Sequence, residues 1–194
     1  MKFDLHVHTM FSDGISSPED IVKKAKEIKL DGLAITDHDN VKGLKRAEKA
    51  AKDAGIIFIP GVEITTPMGD IIALNIKEMP KIGKNTTPLE IIDFVHSGNG
   101  IAVLAHPFGG YWPVSFAEII DVFKGKFDAV EIFNACTPLE ANIAAMELAK
   151  KMKFVGVAGS DAHTADKVGA AFTVSSSSDV ISEIKKGNVK VGWL

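Results

Sequence analysis

The chain has 194 residues, 46% hydrophobic and 24% charged, a balance that lets a globular protein bury a core without disulfide staples. Its formal charge of -3 leaves no electrostatic footprint for non-specific nucleic-acid binding, and a single cysteine, Cys136, excludes an internal disulfide and suits a reducing, cytoplasmic compartment. No apolar run is long enough to span a membrane and the polar start MKFDLHVH is not a secretory leader, so one cytoplasmic domain over 1–194, beginning at or near Met1, is expected.

In chain order, short apolar runs rich in β-branched residues alternate with helical stretches. The first run, residues 3–8, reads FDLHVH; on a strand, His6 and His8 project to one face, with Leu5 and Val7 packing behind them. A helix then opens with Ser17 as N-cap, Pro18 at its first position and Asp20 three residues after the cap, carrying an apolar stripe of Ile21, Val22, Ala25 and Ile28. A run at 32–36, an amphipathic segment at 41–54 and a run at 56–60 follow, and GVEITTPMG reads as a hairpin-like turn into the run at 70–76. Thr87, Pro88 and Glu90 start a second capped helix before the run at 101–106. An amphipathic segment at 115–123 precedes the run at 128–133, Thr137, Pro138 and Glu140 announce a third capped helix before the run at 154–159, and a last amphipathic segment covers 179–186. Gly32, Gly55, Gly98 and Gly100 are read as marking helix ends. Seven strands joined mostly by helices predict an α/β protein with a mainly parallel sheet and right-handed crossovers. Both a closed barrel and an open doubly wound sheet fit that pattern.

In either architecture, function gathers at the carboxyl ends of the strands. The metal-type residues fall there: His6, His8 and Asp13 after the first run, Asp37, His38 and Asp39 after the second, Glu63 after the third, His106 after the fifth, and Asp161 and His163 after the last. His96 is the exception, inside a helix, where a helix-surface or core-edge histidine is the simpler reading. Imidazole nitrogens and carboxylate oxygens are ligands for zinc, manganese and iron, and a cluster of them without cations would repel itself and lose hydration. No lysine stands near these strand ends to neutralise them, and Arg46 is the only arginine, so any phosphate meets at most one guanidinium fork and metals, lysines or backbone amides must do the rest.

In this order and spacing, DLHVHTMFSDG, ITDHD, GVEIT, LAHP and GSDAH resemble the successive motifs of the PHP (polymerase and histidinol phosphatase) family, and the likeness runs from residue 4 to 163 with a similar ending beyond. The resemblance implies a distorted seven-stranded β/α barrel of TIM-like form holding two or three divalent ions (Zn, Mn or Fe). It assigns His6, His8, Glu63 and Asp161 to one ion, Glu63 and His106 to a second, and Asp13, His38 and His163 to a third. Asp4, Asp37 and Asp39 fall at positions that either orient ligand imidazoles or serve as caps and loop bonds. One departure stands out: members usually carry a histidine on the strand after the glutamate, and TTPMGDIIALNI has none; either Asp70 ligates in its place through oxygen, or the second ion is weakly held or its position filled by water.

Divalent ions acidify a bound water and neutralise phosphoryl oxygens, which makes the expected activity a metal-dependent phosphoesterase acting on a small phosphorylated substrate, a nucleotide or an oligonucleotide end. Beyond the metal ligands no catalytic residue is assigned. A non-catalytic scaffold in a nucleic-acid-processing complex and an amidohydrolase-type C–N hydrolase are the rival readings; the latter commonly uses a bridging lysine where this chain has Glu63. Short spacings between the motifs leave no room for a capping insertion, so an open pocket is expected, with Phe108, Tyr111 and Trp112 either contacting substrate or packing the rim. Asn134 and Cys136 are ambiguous, and Cys136 has no supporting base as a nucleophile.

Overall fold

Lys2–Asp4 (β1) leads into Pro18–Glu27 (α1), where the Ser17 side chain accepts the Asp20 amide and Pro18 occupies the first turn. The computed structural model describes residues 1–83, 86–110 and 115–194. Gly32–Ile35 (β2), Leu44–Ala54 (α2), Ile57–Thr66 (β3) and Gly69–Leu74 (β4) follow; Gly55 ends α2 with φ 68, and β3 and β4 form the expected hairpin around the turn at 67–68. Pro88–Ser97 (α3) opens with a full capping box between Thr87 and Glu90 and leads to Ile101–Leu104 (β5). Ala129–Asn134 (β6), Leu139–Met152 (α4), Val155–Gly159 (β7), Ala171–Ser175 (β8), Val180–Lys185 (α5) and Val189–Trp193 (β9) complete the chain.

The strands form one mixed sheet of nine, in the order β7-β6-β5-β4-β3-β2-β1-β8-β9. The seven expected runs are present, and β8 and β9 are additional. β8 lies antiparallel to β1 and β9 antiparallel to β8, which inserts both between β1 and β7. β7 meets this insert through Thr173, whose hydroxyl accepts the Ala158 amide at 2.9 Å and lies 3.0 Å from the Ala158 carbonyl. Beyond it, β7 returns to β1 directly: Asp161 N donates to His6 O at 2.8 Å and His8 N to Ala162 O at 2.9 Å. The sheet is thereby a nearly closed barrel. It is also less parallel than the helix-strand alternation predicts, because β3–β4, β4–β5, β1–β8 and β8–β9 are antiparallel. The β3–β4 hairpin reverses chain direction without a helix, and the next connection reverses it again.

Alternation along the strands separates inside from outside. On β4, Ile72 and Leu74 join Phe3, Leu5, Ile59, Val103 and Val157 in the interior cluster, while Ile71 and Ala73 face Ile91, Ile92 and Val95 of α3. Val7, Leu33 and Ile35 face Ile21 and Val22 of α1 and Ala47 of α2. Leu5 and Val7 therefore part company: Leu5 lies in the barrel interior beneath the histidines and only Val7 packs outward.

Three local expectations are corrected. Thr137 does not cap α4, whose N-cap is Pro138; the Thr137 hydroxyl lies instead 3.0 Å from Asn142 Oδ1 and 3.2 Å from Asn134 O. The segment at 115–123 yields only a 3-10 helix at Ile120–Phe123 in the described residues, with Phe116 buried edge-on against Phe123 and Phe127. Gly32 begins β2 and ends no helix; a Cβ there would lie 2.6 Å from the Phe3 ring. No helix among the described residues is long and apolar enough to cross a membrane.

Candidate metal centre

Backbone pairing delivers the side chains to one end of the barrel. Val7 is clamped between Thr36 (Thr36 N to Val7 O, 2.9 Å) and Ala162, its side chain turned out to α1, so that His6 and His8 turn inward and are fully buried. Gly159 lets β7 come this close, since a Cβ there would sit 2.4 Å from His6 Cβ. Glu63 projects from β3 into the same interior, and His38 pairs with it through a backbone bridge. His106 follows β5, and Asp161 follows β7 in the left-handed region at φ 54, a conformation that Asp tolerates better than most residues. Ile15 N donates to His163 O at 2.9 Å, which ties the loop carrying Asp13 to the end of the last motif.

The eight residues singled out from the sequence meet in three overlapping donor groups: His6, His8 and Asp161; His6, Glu63 and His106; and His8, Asp13, His38 and His163. The inner contacts are short. His6 Nε2 lies 3.0 Å from Glu63 Oε2 and 3.4 Å from Asp161 Oδ1, and His8 Nε2 lies 3.2 Å and 3.1 Å from the same two oxygens. The two Nε2 atoms are themselves 3.0 Å apart. A tetrahedral ion with bonds of about 2.0–2.1 Å spaces its ligands by about 3.3 Å, so this set fits a small divalent cation without rearrangement. His6 and His8 each belong to two of the groups, and Glu63 joins the inner contacts to His106, since its other oxygen, Oε1, lies 3.0 Å from His106 Nε2. The outer group is looser and more open, with His163 Nε2 at 3.0 Å and His38 Nε2 at 3.8 Å from an Asp13 carboxylate that is 53% exposed.

Two residues that hold this set went unassigned or ambiguous in the sequence. Glu131, inside β6, accepts from His6 Nδ1 through Oε1 at 3.0 Å and from His106 N through Oε2 at 3.0 Å. Asn134 bridges two carboxylates, donating from Nδ2 to Glu131 Oε2 at 3.0 Å and to Asp161 Oδ2 at 3.1 Å. With Nδ1 bound to Glu131, a neutral His6 presents its Nε2 lone pair to the cluster, the orientation a metal ligand needs. The three aspartates given two readings take the plainer one: Asp4 accepts the Ser160 and Gly169 amides, Asp37 the Thr9 amide and the Thr9 and Ser12 hydroxyls, and Asp39 the Thr65 amide. They fix the loops that carry the ligands. His96 lies on α3 and bonds Asp128 at 2.8 Å, away from the cluster.

Charge in the cluster is strongly coupled. Burial opposes the charged form of His6, but Glu63, Asp161 and Glu131 outweigh it and hold its pKa well above the ordinary value. Against the same burial, bonds to Asp161 and Glu63 lift His8 to about 9. Glu63 and Asp161, despite burial, are held well below the usual carboxylate range by the facing imidazoles. Burial and the neighbouring Glu63 charge push Asp70 up. Burial also raises the Cys136 thiol, with Asp161 adding to the effect, which argues against a thiolate nucleophile. In the metal-free protein near pH 7 both buried histidines therefore carry a proton that a cation must displace. Zinc titration calorimetry in buffers of different ionisation enthalpy should register proton release at pH 7, and affinity should rise with pH up to about 9, where His8 loses its proton without metal. Proton release of zero would mean that the pair is already neutral.

Residues 4–102 match the family model of the PHP domain, and residues 140–189 match a PHP-associated model. The chain belongs to the PHP domain family. An uncharacterized protein of Methanocaldococcus jannaschii is 35% identical over 146 residues, covering 70% of this chain and 82% of the relative. A 5'-3' exoribonuclease of Haemophilus influenzae is 48% identical over 65 residues, 34% of this chain but only 24% of that enzyme. Among solved structures, a two-domain protein from Bacteroides vulgatus described as containing a predicted PHP-like metal-dependent phosphoesterase superposes at TM-score 0.81 and 18% identity, covering all of this chain and 64% of that one. An amidohydrolase from Chromobacterium violaceum, solved with bound sulfate and no metal, superposes at TM-score 0.70 and 19% identity over 87% of this chain and 90% of that one, and at such identity the likeness speaks to fold alone. The rim residues Tyr111 and Trp112 lie outside the described residues, while Phe108 is 40% exposed two positions beyond His106.

Proposed function

We propose that this PHP protein is a metal-dependent phosphoesterase that hydrolyses a phosphomonoester, or the phosphoester of a nucleotide or oligonucleotide end, with two or three divalent ions held by His6, His8, Asp13, His38, Glu63, His106, Asp161 and His163. The observation that carries the reading is Glu63: one buried carboxylate faces His6 and His8 through Oε2 and His106 through Oε1, an arrangement suited to bridging two cations. Divalent ions there would supply Lewis acidity toward phosphoryl oxygens and an acidified water.

The chain's own part is positioning. Glu131 and Asn134 fix the inner imidazole and carboxylates, the barrel interior excludes water beneath them, and the open outer group at Asp13, His38 and His163 leaves a side through which a substrate end can enter. Arg46 takes no part, because its guanidinium forms a bidentate pair with Glu19 at 2.9 and 2.7 Å on the α1–α2 surface. Phosphate charge is thus left to the cations. The matched exoribonuclease keeps nucleic-acid ends among the substrates to test.

The decisive assay is phosphate release from a panel of sugar phosphates, nucleotides and short 5'-phosphorylated oligonucleotides, using metal-stripped protein before and after adding Mn or Zn. Metal-restored turnover is the expected result, and the preferred panel member gives the substrate class. Folded, metal-loaded protein that releases phosphate from none of them would overturn the reading.

A further inference from the structure

We propose that Asp70 is a ligand of the second cation and makes that subsite oxygen-rich, so that the centre is a mixed one: a zinc-type ion among His6, His8, Glu63 and Asp161, and a harder ion, manganese or magnesium, among Glu63, His106 and Asp70. The inference rests on reading the cluster as a metal centre and adds which ion each part of it takes.

Strand register carries the argument. Asp70 stands directly opposite Thr65 in the β3–β4 ladder, and Glu63 opposite Ile72. Opposed residues share a face, and Glu63 and Thr65 are two apart, so Asp70 projects into the barrel interior on the side of Glu63. On its other flank, the Asp70 carbonyl accepts Ala105 N at 3.1 Å, the residue immediately before His106. The carboxyl is thus held between the two strands that carry Glu63 and His106, whose own donor atoms are 3.0 Å apart. Asp70 is only 9% exposed, and its Oδ1 is buried without a hydrogen-bond partner among the described residues. A buried carboxylate oxygen with nothing to accept is costly unless something else occupies it.

The donor chemistry then separates the two positions. The inner set pairs two imidazoles with two carboxylates, a composition that suits zinc; Glu63 and His106 are grouped with His6, and once His6 is given to the inner ion, adding Asp70 from across the β3–β4 ladder leaves two carboxylates and one imidazole for the second. Carboxylate and water donors suit manganese and magnesium, and because a given site still binds zinc more tightly at equal supply, the harder ion takes this position where zinc is limiting.

The test reads metal content and position and does not depend on turnover. Metal-stripped protein given one equivalent of zinc and then excess manganese, and desalted, should retain both ions by mass spectrometry, and crystals should show manganese-edge anomalous density beside Asp70. Asp70→Asn should weaken manganese binding by about 10–100-fold while the inner zinc remains. Asp70→His, which restores a nitrogen donor, should shift the second position to zinc. Zinc alone beside Glu63 and His106 in the unsubstituted protein, or unchanged manganese affinity in folded Asp70→Asn, would overturn the proposal. A manganese ion located beside Asp70 in a protein that releases no phosphate would leave this assignment standing and remove the phosphoesterase reading alone.

Discussion

Replacing Glu63 with glutamine should lower metal-dependent phosphate release by about a thousandfold, equivalent to about 4 kcal/mol of barrier at about 1.36 kcal/mol per decade. The side chain is almost isosteric and fully buried, so the core should keep its packing. What changes is charge and donor pattern. Glu63 Oε2 lies 3.0 and 3.2 Å from His6 and His8, and Oε1 lies 3.0 Å from His106. An amide nitrogen in either place points N–H bonds at atoms that must offer lone pairs to a cation, and the remaining oxygen is neutral and a poor bridge. Both inner positions should therefore lose affinity together, which metal analysis of the purified variant would register as loss of more than one ion per chain. Unchanged phosphatase activity in a folded variant would remove Glu63 from its shared role. Retained inner metal with loss of only the second ion would confine it to His106.

Much of this centre could be read from the sequence because its residue types are concentrated where strands end. The seven apolar runs are legible for a related reason: strands such as Ile101–Leu104 are buried throughout and so appear as unbroken apolar stretches. Local helix signals also succeed where the cap is satisfied within its own turn, as at Ser17 and Thr87. They fail at Thr137, where Asn142, one turn into α4, takes the place of the cap by accepting the Asn134 amide and bonding the Asn134 carbonyl. β9 escapes notice because it is nowhere fully buried, and the pairing of β8 and β9 is decided by the gap left between β1 and β7, a property of the closed sheet. Asp4, Asp37 and Asp39 look like ligand-orienting groups by proximity in sequence, yet long-range loop amides claim them. Glu131 escapes for the opposite reason. It sits mid-run in DAVEIF, where period-2 reading makes a charged residue point to solvent, and only closure of the barrel, with the register shift between Glu131 and Phe133, reveals that it points inward.

Glu131 is accordingly the residue whose loss should be felt most in stability. It is 2% exposed and satisfies His6 Nδ1, the His106 amide and the Asn134 amide group. Glu131→Ala leaves those donors in a dry interior with no acceptor, and removing one partner from such a buried ionic network costs about 3–5 kcal/mol. Chemical denaturation of the metal-free variant measures this directly. Glu131→Gln separates structure from function: its amide oxygen can still accept from His6 Nδ1 while its NH2 then faces the His106 and Asn134 donors, so stability should recover only part of the loss, and a neutral partner no longer fixes His6 as the Nδ1–H tautomer or raises the basicity of Nε2. Metal affinity should then fall by about 10–100-fold, the range expected when the carboxylate behind a metal-bound histidine is removed. If Glu131→Gln binds zinc as tightly as the parent while Glu131→Ala unfolds, the residue serves packing alone, and orientation of His6 must come from the clamp that Val7 and Gly159 place on its backbone.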